Sequence, residues 1–250
     1  MSEESPKPAR RKEWHEVVEY ATPSILRVVT QDGYGTGFLL VRSNNGLLSG
    51  VATAYHVIAR AFEWGFPIRL EHASSNRSLL LHPGNRYIEF DVARDTAVIV
   101  FNHADLPMPD TEPQLIAEKS SIKVGCDVGW LGYPAISPNE LCFFSGHISN
   151  WNEQEHRYLV DGVAINGVSG GPVFRNRPTG EVNLVGIISA YIPNTSTGKS
   201  TPGLSVIRDV SSFFPTIKKL KSLPPQQDNP PPPASVPPSE PKAGSEEAPK

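Results

Sequence analysis

Short apolar runs alternate with polar, turn-forming clusters along most of the chain. Residues 38–41, 47–51, 87–92, 96–101, 124–131, 141–148, 158–163, 172–174, 182–190 and 203–207 each read as a strand. Their length and their bounding Gly, Pro, Asn and Ser residues fit strands better than helices. Asn44-Asn45-Gly46 marks a hairpin between the first two runs, because these residues accept the positive φ that a tight turn demands. Two segments depart from this pattern. Trp14, Val17, Val18 and Ala21 fall at helical spacing and predict a short helix that Pro23 ends. Residues 210–220 predict a second helix, with Asp209 as its N-cap. The expected class is all-β, a barrel or sandwich, with helices at its ends.

A polar, Pro-rich crossing over residues 102–118 divides the strands into two groups. Residues 1–12 form a charged lead. From residue 223 to residue 250 the chain is rich in Pro, Ser and Glu and nearly free of apolar side chains. Such segments bury too little surface to offset chain entropy, so both are expected to be disordered, the tail with polyproline character.

Composition narrows the classes. A chain of 250 residues with 38% hydrophobic residues is long enough for a real core. The net charge of −3 gives no reason to expect nucleic acid or an anionic membrane as partner. Cys126 and Cys142 are too few for a disulfide-stapled fold and are expected as free thiols. No CxxC or HExxH spacing suggests a metal, so neither metal nor organic cofactor is expected. No apolar run at the start resembles a signal peptide, and none approaches the roughly 18 residues of a membrane span. The expected compartment is the cytoplasm.

The chemistry concentrates in Gly167-Val168-Ser169-Gly170-Gly171-Pro172. A serine between glycines can be presented as a nucleophile, and the amides of Gly167 and Ser169 can converge on a developing oxyanion. A serine hydroxyl needs a neighbouring base. His56, in Thr53-Ala54-Tyr55-His56-Val57, and Asp95, before Thr96-Ala97-Val98-Ile99, lie upstream in the order His, Asp, Ser. Asp91 competes with Asp95 for the third place. Asp95 is preferred because it directly precedes the apolar run, whereas Asp91 fits a turn or solvent.

These motifs together resemble a trypsin-like serine peptidase of the chymotrypsin superfamily, nearer to the bacterial HtrA/Deg kind than to digestive enzymes. Gly35-Thr36-Gly37-Phe38, Gly132-Tyr133-Pro134, Leu184-Val185-Gly186-Ile187-Ile188-Ser189 and Thr201-Pro202-Gly203-Leu204 carry the rest of the likeness, which spans residues 28–210. The resemblance implies two six-stranded antiparallel β-barrels within a peptidase unit over residues 13–222. Barrel one would cover about 24–103, barrel two about 119–208, and a C-terminal helix about 209–221. It implies a triad of His56, Asp95 and Ser169 and an oxyanion hole of Gly167 and Ser169. Val163, Ala164, Tyr191, Gly203 and Ser205 would line the specificity pocket, which holds no acid, so a small to medium apolar P1 residue is expected. The backbone of Ser189, Ala190 and Tyr191 would take a polypeptide substrate as an added strand.

Val168 stands where digestive relatives carry an aspartate that pairs with a newly cut N-terminus, so no zymogen cleavage is expected. With no PDZ domain and no export signal, an intracellular processing or signalling protease is expected. A second reading keeps the same cleft as a non-catalytic or conditionally active peptide-binding module. A third gives the Pro-rich tail, with its run at residues 230–233, a partner of its own.

Overall fold

The computed structural model describes residues 10–106, 108–194 and 201–224. The expected disordered lead and tail therefore fall almost wholly outside the described residues. The chain opens with α1 (Trp14–Ala21). Glu13 caps it, and a reciprocal pair of bonds between Glu13 and Glu16 satisfies first-turn amides. Pro23 ends it within a 3-10 turn, as its missing N–H dictates.

Seven strands follow: β1 (Ile25–Thr30), β2 (Gly33–Arg42), β3 (Leu48–Thr53), β4 (Ile68–His72), β5 (Ser78–Leu81), β6 (Tyr87–Asp91) and β7 (Thr96–Asn102). They make one sheet in the order β5-β4-β1-β2-β3-β7-β6. The first unit thus has seven strands rather than the expected six, and its ladder stays open between β5 and β6. Inside it lie Leu26, Val28, Leu39, Val51, Leu70 and Ile99. The second unit contains β8 (Asp127–Gly132), β9 (Cys142–Asn152), β10 (Arg157–Val160), β11 (Pro172–Asn176), β12 (Val182–Asn194) and β13 (Thr201–Asp209). These close into a six-stranded barrel, β10-β13-β12-β11-β8-β9, around Trp130, Tyr158, Val173, Ile188 and Ile207.

A third cluster joins the two units. Val17 and Ala21 of α1, Phe38 and Leu40 of β2, Leu131 of β8, Phe174 of β11, Ile187 of β12 and Leu220 near the C-terminus pack together there. Burial of each such side chain is worth about 1.5–3 kcal/mol, so the seam fixes the two units against each other. The C-terminal element starts as a 3-10 turn, Val210–Phe213, capped by the Asp209 carboxylate on the Ser211 amide. It becomes helical only at α3 (Phe214–Lys221), with Pro215 in the first turn, so the helix begins later than the sequence pattern suggests.

One helix falls outside the strand reading. After β3 the chain turns into α2 (Tyr55–Glu63), which buries Ile58 and Ala61 against the first sheet. His56 lies in its first turn.

Candidate active site

The site forms where the first sheet meets the second barrel. Asp95 occupies the turn between β6 and β7 with φ +50°, a left-handed conformation that aspartate tolerates better than most residues. Its backbone carbonyl accepts from the Tyr55 amide at 3.2 Å. Its carboxylate receives three hydrogen bonds. The His56 amide donates to Oδ1 at 2.9 Å, the His56 Nδ1 lies 2.8 Å from Oδ2, and the Ser189 hydroxyl donates to Oδ2 at 2.6 Å. Burial pushes the Asp95 carboxyl up, but the bonds from His56 and Ser189 outweigh it and hold the group below the usual carboxylate range. An ionised carboxylate only accepts, so the Nδ1 of His56 carries a proton. Its Nε2 is then the nitrogen left to act as a base. Asp95 is largely covered, whereas the His56 side chain is 50% exposed and open to a substrate.

Asp91, the competing acid, does not reach His56. It ends β6, and its carboxylate accepts from the Arg94 amide at 3.1 Å. The residues flanking Asp95 are tied to the C-terminal turn. Arg94 donates to the Ser211 hydroxyl at 3.2 Å, and the Thr96 hydroxyl donates to that of Ser212 at 2.8 Å.

Ser169 sits on the loop between β10 and β11, beside His56, Val57, Tyr34 and Asn166 around a cleft of about 240 Å3. Among the described residues no hydrogen bond joins its hydroxyl to His56. The loop is moulded by the first unit. Thr36 on β2 is fully buried, and its hydroxyl donates to the Gly167 carbonyl at 2.9 Å and accepts from the Tyr133 amide at 3.1 Å. The Thr36 amide donates to the Ser169 carbonyl at 2.8 Å. Gly35 must lack a side chain here, since a Cβ would lie 2.9 Å from that same carbonyl and 2.6 Å from Val57.

Gly167 has φ +91°, and a Cβ there would meet the Tyr133 carbonyl at 2.3 Å and the Tyr34 ring at 2.7 Å. The Asn166 carbonyl accepts from the Ala135 amide at 2.7 Å. In a trans peptide the N–H points opposite to its carbonyl, so the Gly167 N–H faces away from Ala135. Neither the Gly167 nor the Ser169 amide has an acceptor among the described residues, which leaves both available to a negative oxygen.

Val168 points the other way. It is fully buried in the core of the second barrel, in the cluster of Trp130, Val173 and Ile188. Packing holds the loop where an ion pair would hold it in the digestive relatives.

The remaining predicted residues surround the same loop. Ser189 is a bulge residue, since the register of β12 against β13 shifts between Ile188 and Ala190. The bulge turns its hydroxyl onto Asp95. The ladder between β11 and β12 ends at Ile187, and beyond it β12 runs on against β13. Ala164 is buried, Ala190 exposed and Val163 47% exposed, more open than a pocket base would be. Ser205 is fully buried and bonds the Gly162 carbonyl. A cavity of about 590 Å3 lies between β6, β7 and α3, and none of His56, Asp95 and Ser169 lines it.

Thr36 entered the sequence reading only as part of Gly35-Thr36-Gly37-Phe38, with no role of its own, and Tyr34 and the Ser189 hydroxyl were not singled out. A threonine between two glycines on an apolar strand is the one local sign of the first.

Fold and site together define a serine peptidase of the chymotrypsin type. Residues 35–187 match the trypsin-like peptidase domain, and the chain belongs to that family. Its fold resembles that of the serine endoprotease from Yersinia pestis, with a TM-score of 0.62 and 18% identity, covering 87% of this chain and 68% of that one. It also resembles the Rv3671c protease from M. tuberculosis H37Rv in its inactive form, a serine-to-alanine mutant. The TM-score there is 0.56 at 16% identity, over 85% of this chain and 95% of that one. No curated protein matches the sequence. Among the described residues no helix is long and apolar enough to cross a membrane.

Proposed function

We propose that this peptidase unit, residues 13–222, cuts peptide bonds with Ser169 as nucleophile, His56 as general base and Asp95 as the group that orients and stabilises the imidazole. The observation that carries this reading is the Asp95 carboxylate, held ionised by three donors, one of them the His56 ring. That arrangement leaves Nε2 free to take the Ser169 proton as Oγ attacks the carbonyl carbon. The amides of Gly167 and Ser169 receive the oxyanion. Collapse of the intermediate expels the amine, which takes the proton from His56 and leaves an acyl-Ser169. Water, deprotonated by His56, then releases the acid and restores the enzyme. The substrate lies as an added strand along the backbone of residues 189–191, with an apolar P1 residue directed toward Val163, Ala164 and Gly203.

One observation favours a conditionally active form: among the described residues no hydrogen bond joins the Ser169 hydroxyl to His56. Catalytic bonds of this kind often tighten only when substrate binds. Labelling with a fluorophosphonate, read by intact mass on wild type and Ser169→Ala, separates the two readings. Stoichiometric labelling lost in the variant supports an active resting enzyme. A folded wild type that stays unlabelled refutes it and favours peptide binding or external activation.

A further inference from the structure

On the reading proposed above, a P1 side chain enters between residues 162–164, 189–191 and 203–205. Tyr191 pairs with Ser205 across β12 and β13. Cross-strand partners project from the same face of a sheet. Ser205 is fully buried, and its hydroxyl bonds the Gly162 carbonyl on the opposite wall. The Tyr191 side chain therefore leaves the sheet toward that wall. Its ring packs on the cluster that contains Ala164 and Val168. Its hydroxyl accepts from the Gly203 amide at 2.6 Å. Gly203 is a diagonal neighbour, two residues from Ser205, within reach of an aromatic side chain. Two contacts, to the core and to the neighbouring strand, thus hold the phenol on the face that Ser205 turns toward Gly162. The cleft on the other side of Ser169, toward Asp32, Gly33 and Tyr34, stays open.

We infer that Tyr191 fills the P1 slot and restricts P1 to glycine or alanine. The inference rests on Ser169 as nucleophile and narrows the apolar preference proposed above. A leucine or phenylalanine at P1 has to displace the phenol and break its bond to Gly203, whereas alanine brings one methyl group. A single methylene in an apolar site is worth roughly 10–200-fold in rate, so discrimination of at least about tenfold is expected.

Two measurements test this on the full chain. p-Cresol, the tyrosine side chain cut free, is titrated by calorimetry into wild type, Tyr191→Gly and Tyr191→Phe, each checked for native circular dichroism. One equivalent should bind Tyr191→Gly and none the other two; Tyr191→Ala serves if the glycine variant does not fold. Inactivation rates are then compared for peptidyl phosphonates with alanine, leucine or phenylalanine at P1. Wild type and Tyr191→Phe should prefer alanine by at least about tenfold, and Tyr191→Gly should lose or invert that preference. Equal wild-type rates for alanine and phenylalanine, or no cresol binding by the folded variant, would overturn the inference. Resistance of every variant to a small fluorophosphonate without a P1 side chain removes the nucleophile itself, and the P1 restriction falls with it. That pattern differs from intact labelling without P1 discrimination.

Discussion

Thr36→Val replaces a hydroxyl by a methyl group of similar size, so it opens no cavity, yet it strips a buried and a part-buried backbone group of their partner. The Gly167 carbonyl loses its donor at 2.9 Å, and the Tyr133 amide loses its acceptor at 3.1 Å. Thr36 is 0% exposed, so water is not at hand to replace the hydroxyl. An unsatisfied buried group costs about 1–3 kcal/mol, so the pair costs about 2–6 kcal/mol, and we expect a loss near 3 kcal/mol in urea unfolding. The same carbonyl belongs to the peptide that follows Gly167, so the loop carrying the proposed oxyanion donors is released too. One such donor is worth about 10²–10³ in rate; partial loss of alignment should slow fluorophosphonate labelling at least about tenfold. Thr36→Ser restores the hydroxyl and should recover most of the labelling rate, losing only about 1 kcal/mol for the missing methyl group. A valine variant with stability within about 0.5 kcal/mol of wild type and an unchanged labelling rate would refute the claim that Thr36 holds the loop.

Three further outcomes follow from the same geometry. Ser189→Ala removes one of the donors that depress the Asp95 pKa, so that pKa should rise, as read by carboxyl NMR. The stability Asp95 supplies is present above the ordinary carboxylate pKa and is lost as pH falls through its lower native value; the variant should therefore have less to lose, with the loss complete at higher pH than in wild type. Val168→Asp buries a carboxylate in an apolar cluster without a partner and should cost about 3–5 kcal/mol or prevent folding, measured by thermal and urea unfolding; a neutral effect would mean that a cation reaches the site. Tyr158, pushed up to about 12 by burial, accepts a bond from the Ile122 amide at 3.0 Å. Its contribution is full below the ordinary tyrosine value and is lost as pH rises through about 12, so Tyr158→Phe should be less stable at neutral pH yet show a flatter alkaline loss.

Most strands were legible because their apolar runs end in turn residues, and Asn44-Asn45-Gly46 does join β2 to β3. β1 escaped because its apolar run follows directly on the predicted helix, β4 and β5 because their alternation is short, and α2 because its buried pair, Ile58 and Ala61, continues the apolar run of β3. Gly65, in a left-handed conformation just past the helix, was the available stop signal. At the site, Ser169, His56 and Asp95 announced themselves through local motifs. The groups that hold them did not. The Ser189 hydroxyl reaches Asp95 only because a bulge turns it, and Thr36 meets Gly167 only once two distant segments have packed. Such contacts leave no periodicity in the sequence.

The position of Val168 changes how the loop is held. A buried ion pair depends on a charge arriving from elsewhere, whereas an apolar side chain is seated as soon as the barrel folds. Val168 fixes the loop from below by packing, so what remains adjustable lies above it, on the first unit. There Tyr34 presses on Gly167, the Arg27 guanidinium lies 4.1 Å from the Tyr34 ring centroid, and Arg27 also reaches Asn139 beyond β8. Thr36 bonds the same loop from the neighbouring stretch of β2. The amides proposed as oxyanion donors are therefore aligned by one unit and carried by the other, and their geometry depends on the seam that α1, β2 and α3 fill. A perturbation of that seam far from Ser169 should weaken labelling before it unfolds either unit, because the loop has contacts to lose on both sides while each unit keeps its own core.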